Sequence, residues 1–113
     1  MHEFSLASDI VEIVTESVKK AGRKKVTNLT LEVGVISGVD EDALTYALDS
    51  LKPETVLSDS TIEIIRVDGV AKCLTCNTQF PLDDLFTLCP HCQGYEKEII
   101  SGKEFNVHSI EAE

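Results

Sequence analysis

Two cysteine pairs constrain this chain more than any other feature. They are Cys73 and Cys76 in CLTC and Cys89 and Cys92 in CPHC, with twelve residues between the pairs and no further cysteine in 113 residues. A two-residue gap lets one turn point both thiolates at one ion, and two such turns complete a tetrahedron. Zn²⁺ is the expected occupant, as a structural ion, because four thiolates leave no open position for catalysis. Iron also suits tetrahedral sulfur. Two disulfides would need an oxidising compartment, yet the opening MHEFSLASDIVEIVTES has neither a basic start nor a long apolar run. A lone redox pair would open the helix of a βαβ unit. A cytoplasmic protein with reduced, metal-bound thiols is the expectation.

The bulk numbers exclude several classes. Twenty acidic and ten basic residues give a net charge of −10, which argues against nucleic-acid binding, where Lys and Arg must neutralise phosphates. No apolar run approaches the length of a membrane span, so no membrane role is expected. A hydrophobic content of 42% supports a core.

The pattern along the chain predicts an α+β fold. Residues 5–21 read as an amphipathic helix with Leu6, Ile10, Ile13, Val14 and Val18 on its apolar stripe. Ser5 is a candidate cap at its start and Gly22 suits its end. Residues 26–36 alternate, placing Leu29, Leu31, Val33 and Val35 on one face of a strand. A second helix is predicted over 40–51, capped by Asp40, with Leu44, Leu48 and Leu51 facing inward and Pro53 marking the stop. A strand follows at 61–67.

Residues 70–96 then lose periodicity and carry the four cysteines. This stretch reads as too short to bury a core of its own. It would draw folding energy from its metal, on the order of 10 kcal/mol for structural zinc, and be locally disordered without it. EIISGKEFNVHSIEAE reads as strand, turn and strand returning to the first core. The expected layout is therefore a domain of 1–69 with 97–113, holding a zinc lobe of 70–96.

The amino terminus offers a second metal reading. The Met1 amine, the His2 backbone nitrogen and the His2 imidazole could chelate one ion through fused rings, with Glu3 as a further donor. Such a tetragonal set suits Ni²⁺ or Cu²⁺. Taken alone, a histidine at position 2 reads as a solvated terminal residue.

The whole chain resembles the HypA/HybF family, nickel metallochaperones of hydrogenase and urease maturation. The resemblance rests on MHEFSLA, on VTNLTLEVGVISGVDEDAL, on both CxxC pairs and on EIISGKEFNVHSIE. It implies a small three-stranded sheet with two helices beside an inserted zinc-ribbon lobe, and no enzymatic activity. It implies nickel as transient cargo on His2, with Met1 and Glu3 assisting, and structural zinc on Cys73, Cys76, Cys89 and Cys92. It also implies two partners, a nickel-handling GTPase and a hydrogenase large-subunit precursor, for a protein that is monomeric or weakly dimeric. Where some relatives carry histidine after each CxxC pair, this chain has Asn77 and Gln93. His91 reads instead as a solvated knuckle residue and His108 as a surface strand residue, with metal donation the alternative for each. A zinc-ribbon interaction module without nickel transfer is the competing function.

Overall fold

The computed structural model of the protein describes residues 3–113 in full and the backbone of His2. The elements run α1 (His2–Lys20), β1 (Val26–Gly34), α2 (Glu41–Leu51), β2 (Thr61–Val67), β3 (Val70–Cys73), β4 (Gln79–Pro81), β5 (Lys97–Ser101) and β6 (Phe105–Ala112). They form two three-stranded sheets, ordered β2-β1-β6 and β4-β3-β5. The chain divides into two compact units. One comprises Met1–Leu31, Val39–Ile65 and Asn106–Glu113; the other comprises Glu32–Gly38 and Arg66–Phe105.

In the first unit, α1 packs against α2. The buried stripe of α1 is Ala7, Ile10, Val14 and Val18, spaced three and four residues apart as a helix face requires. Two expectations need correction here. Ile13 is 53% exposed, because its neighbour Val14 already occupies the inward direction. Ser5 does not cap the helix: α1 begins at His2, so Ser5 lies inside its first turns. The helix ends in a Schellman arrangement, with Gly22 at φ +69°. Arg23 N–H donates to the Val18 carbonyl and Gly22 N–H to the Lys19 carbonyl.

β1 buries Leu29, Leu31 and Val33, as its alternation predicts, whereas Val35 lies past the strand end and is 40% exposed. From α2 the buried residues are Leu44, Ala47 and Leu48; Leu51 is only half-buried at the last turn. Asp40 caps α2, its carboxylate accepting from the amides of Asp42 at 3.0 Å and Ala43 at 3.2 Å. Each fully buried leucine here contributes about 1.5–3 kcal/mol of transfer free energy.

The second unit has a small core, contrary to the expectation that the cysteine segment buries none. Ala71, Cys73, Phe80, Leu82 and Cys89 form it, with Ile36, Cys76 and Ile99 packed against them. β3 pairs antiparallel with β4 (Ala71 opposite Phe80) and with β5 (Cys73 opposite Lys97). Residues 97–101 thus join the cysteine-bearing sheet. A close backbone approach fixes the end of β1: a Cβ on Gly34 would lie 1.9 Å from the Gly102 carbonyl oxygen, so only glycine fits.

Candidate metal centre

The two cysteine pairs fold into the same local structure. In the first, Cys73 N–H donates to the Thr78 carbonyl at 2.9 Å, and Asn77 N–H donates back to the Cys73 carbonyl at 2.9 Å. In the second, Cys89 N–H donates to the Gly94 carbonyl at 3.0 Å and Gln93 N–H to the Cys89 carbonyl at 2.8 Å. The fourth residue after each leading cysteine is left-handed, Asn77 at φ +64° and Gln93 at φ +65°. That reversal curls each turn tightly enough to bring both of its sulfurs to one point. Asparagine adopts this conformation readily, whereas glutamine does so at a cost.

The four Sγ atoms all lie within 4.8 Å of one another. Cys73 and Cys92 are 3.5 Å apart and Cys76 and Cys89 are 3.7 Å apart. A zinc–sulfur bond of about 2.3 Å gives a tetrahedron edge of about 3.8 Å, so the donor set fits zinc in both chemistry and spacing. Cys73 and Cys89 are buried, Cys76 is half-buried, and Cys92 is the most exposed. Gly94 lets the backbone press against the cluster: a Cβ there would sit 3.2 Å from the Cys92 sulfur and 3.6 Å from that of Cys73.

The surroundings already favour partial ionisation. The backbone N–H groups of Cys76 and Thr75 point at the Cys73 sulfur and lower its pKa to about 6. The Thr78 hydroxyl, 3.3 Å from the Cys76 sulfur, lowers that thiol too. The Gly94 amide also favours an ionised Cys92. The nearby Cys73 sulfur, burial and the other two thiols outweigh it, and Cys92 is pushed up to about 12. Four thiolates cannot share this volume without a cation, and a divalent ion removes the conflict.

The sequence located the four cysteines but not their supporting groups. Thr75, Thr78 and Gly94 become visible only once the turns are built, although a glycine two residues after the last cysteine is a usable signal. Among the described residues this is the one group of metal donors, and neither His91 nor His108 joins it. His91 is exposed in the second knuckle and His108 is exposed on β6. For the amino-terminal reading, Met1 and the His2 side chain lie outside the described residues. Glu3 is half-buried, and its carboxylate accepts from the Asp40 N–H at 3.1 Å.

Comparison with known proteins gives this geometry a family. The model for HypA, described as hydrogenase/urease nickel incorporation metallochaperone, matches residues 1–112. This chain belongs to the HypA family. A HypA hydrogenase maturation factor of Parabacteroides distasonis is 42% identical over 110 residues, covering 97% of this chain and 96% of the relative. One from Albidiferax ferrireducens is 33% identical over 113 residues, covering 100% of both chains. The solution structure of the Ni metallochaperone HypA from Helicobacter pylori shares the fold, with a TM-score of 0.69 at 24% identity over 99% of this chain and 97% of that one. A second HypA solution structure matches with a TM-score of 0.71 at 25% identity, over 99% and 96% of the two chains. The resemblance drawn from the sequence and the α+β fold class both hold. The HypA family is one of nickel-handling maturation factors, and the four-cysteine cluster accords with a zinc site. No helix among the described residues is long and apolar enough to cross a membrane.

Proposed function

We propose that this protein is a nickel metallochaperone that binds Ni²⁺ at its amino terminus and delivers it to a nickel-enzyme precursor. The observation that carries the reading is the match of residues 1–112 to the nickel-incorporation family. The donors are the Met1 amine, the His2 backbone nitrogen and the His2 imidazole, with Glu3 assisting. The recipient is a hydrogenase large-subunit precursor, with urease as the second class of target, and a nickel-handling GTPase acts alongside. The protein acts as a carrier rather than a catalyst, in the cytoplasm, as a monomer or weak homodimer. A site with few protein ligands suits a cargo that must be released. Zn²⁺ is held for structure by Cys73, Cys76, Cys89 and Cys92, a role supported by the convergence of their sulfurs.

The test is a calorimetric Ni²⁺ titration of untagged, zinc-loaded protein beside His2→Ala and a variant with one residue added before Met1. The reading expects about one strong nickel site in the parent and its loss in His2→Ala. The extended variant reports whether the terminal amine is a donor. Equal binding by all three would remove the amino-terminal site and turn attention to His91 and His108.

A second reading, a zinc-ribbon interaction module without nickel transfer, draws support from a different observation. The second unit exposes Leu74, Leu85, Phe86 and Tyr95, with Phe86 at 76%, an apolar display that suits protein contact. It takes precedence if none of the three proteins binds nickel.

A further inference from the structure

Half of the positive charge of this acidic chain sits in seven consecutive positions. Lys19, Lys20, Arg23, Lys24 and Lys25 carry five of its ten basic residues, all exposed. The helix dipole accounts for the first two, which lie in the last turn of α1, but its effect fades beyond that turn. Arg23, Lys24 and Lys25 lie past the helix end. Among the described residues the cluster has one ion pair, Lys25 with Asp59 at 2.9 Å, and Glu113 also acts electrostatically on Lys25. Among the described residues Lys19, Lys20, Arg23 and Lys24 form no ion pair.

A cavity of about 500 Å³ adjoins this ridge; Ser17, Arg23 and Glu111 form the polar part of its wall and Val18, Ala21, Ile110 and Ala112 the apolar part. The two features are tied together by backbone. Lys24 and Lys25 N–H groups donate to the Glu113 carbonyl, and Glu113 N–H donates to the Lys25 carbonyl. The end of β6 is thereby fixed against the basic segment. β6 is also an edge strand of its sheet, and edge strands accept an added strand from another chain.

We infer that the α1 end and the β6 edge form a docking site for an extended acidic segment of a partner protein. The partner inserts one apolar side chain into the cavity while its carboxylates meet Lys19, Lys20, Arg23 and Lys24. Charge complementarity selects this occupant: Lys19, Lys20, Arg23 and Lys24 form no ion pair among the described residues and outnumber Glu111, the one carboxylate of the cavity wall. None of these residues belongs to the cysteine cluster or to Met1–Glu3, so the inference does not depend on nickel.

The experiment uses full-length, zinc-loaded, isotope-labelled protein titrated with a short synthetic peptide of glutamates flanking a single leucine. Amide shifts should concentrate in residues 17–25 and 108–113. Arg23→Glu combined with Lys24→Glu should weaken the peptide by about tenfold or more and flatten its salt dependence. Lys20→Gln, a milder change at an exposed position, should give part of that loss. Ala21→Phe, which fills the cavity, should weaken the leucine peptide and leave an all-glutamate peptide unaffected. Unchanged affinity in the charge-reversed protein, or shifts centred elsewhere, overturns the inference. So does equal binding of duplex DNA or of the all-glutamate peptide, which would make the ridge a general polyanion surface. Self-association that disappears with the charge reversal, read by sedimentation velocity, would overturn it in favour of a second copy.

Discussion

Glu3 completes the cap of a helix whose N-cap residue lies 37 positions later in the chain: its carboxylate accepts from the backbone N–H of Asp40 at 3.1 Å. Asp40 in turn caps α2 through the amides of Asp42 and Ala43. In a capping box the residue at the third helical position returns the bond to the cap's own N–H. Here that position is Ala43, which cannot, and Glu3 supplies the carboxylate from α1. The first turn of α1 is thereby tied to the start of α2.

Glu3→Ala should therefore destabilise the zinc-loaded protein by about 1 kcal/mol, the usual scale for loss of a helix cap. Glu3→Gln, which keeps an acceptor oxygen, should retain most of that. Urea unfolding followed by circular dichroism measures both. Equal stability of Glu3→Ala and the parent would mean that the Glu3–Asp40 bond is worth nothing in solution.

Removal of zinc should act unevenly. The second unit's core is small, and two of its five members, Cys73 and Cys89, are themselves metal donors. The binding energy of a structural zinc, on the order of 10 kcal/mol in zinc-finger peptides, is then a large part of its folding energy. Chelation, or Cys73→Ser, should collapse the amide dispersion of residues 70–96. It should leave the helical signal of α1 and α2 largely intact, because their buried leucines and valines need no metal. Full dispersion of the second unit without metal would show that Phe80, Leu82 and Ala71 suffice.

Gln93 holds a left-handed backbone at φ +65° with no side-chain reason to prefer it. Glycine adopts that conformation freely, against a penalty of about 1–2 kcal/mol for other residues, and returns part of the gain as chain entropy. Gln93→Gly should therefore stabilise the zinc-loaded protein by about 0.5–1 kcal/mol while zinc stays at one equivalent. A loss of stability would mean that the Gln93 side chain makes a contribution larger than the strain.

Much of this architecture can be read from the residues, and the failures have identifiable causes. Cys73, Cys76, Cys89 and Cys92 announce themselves by spacing, Asp40 by its type and place before an apolar helix, and Leu29, Leu31 and Val33 by alternation. The burial of Ala7 in place of Ile13 was not legible, because the helical period allows either of two neighbouring stripes and packing against α2 chooses. β3 and β4 are four and three residues long, too short for periodicity to register. The Glu3–Asp40 bond and the supporting amides at Cys73 arise only from the fold, since nothing local joins those positions.

Acidification should release zinc, with a slope that changes near pH 6. The metal-bound cluster holds four thiolates, while the free cluster retains protons, so binding expels protons and lower pH favours the free form. Cys92, pushed up to about 12, contributes a proton to this exchange across the physiological range. Cys73, lowered to about 6, contributes none until the pH falls below that value. Affinity should therefore decline steadily from pH 8 to 6 and more steeply below, by one further proton. The metal-free fold follows the same thiol in sign. A pKa depressed from an ordinary value near 9 gives Cys73 a stabilising effect that is full above pH 9 and disappears as the pH falls through about 6. Cys92, with its raised value, contributes its stabilising effect below pH 9 and loses it as the pH rises toward about 12. Competition with a chromophoric zinc chelator across this range measures the slope directly. An affinity independent of pH between 8 and 6 would mean that Cys92 is already ionised in the free cluster.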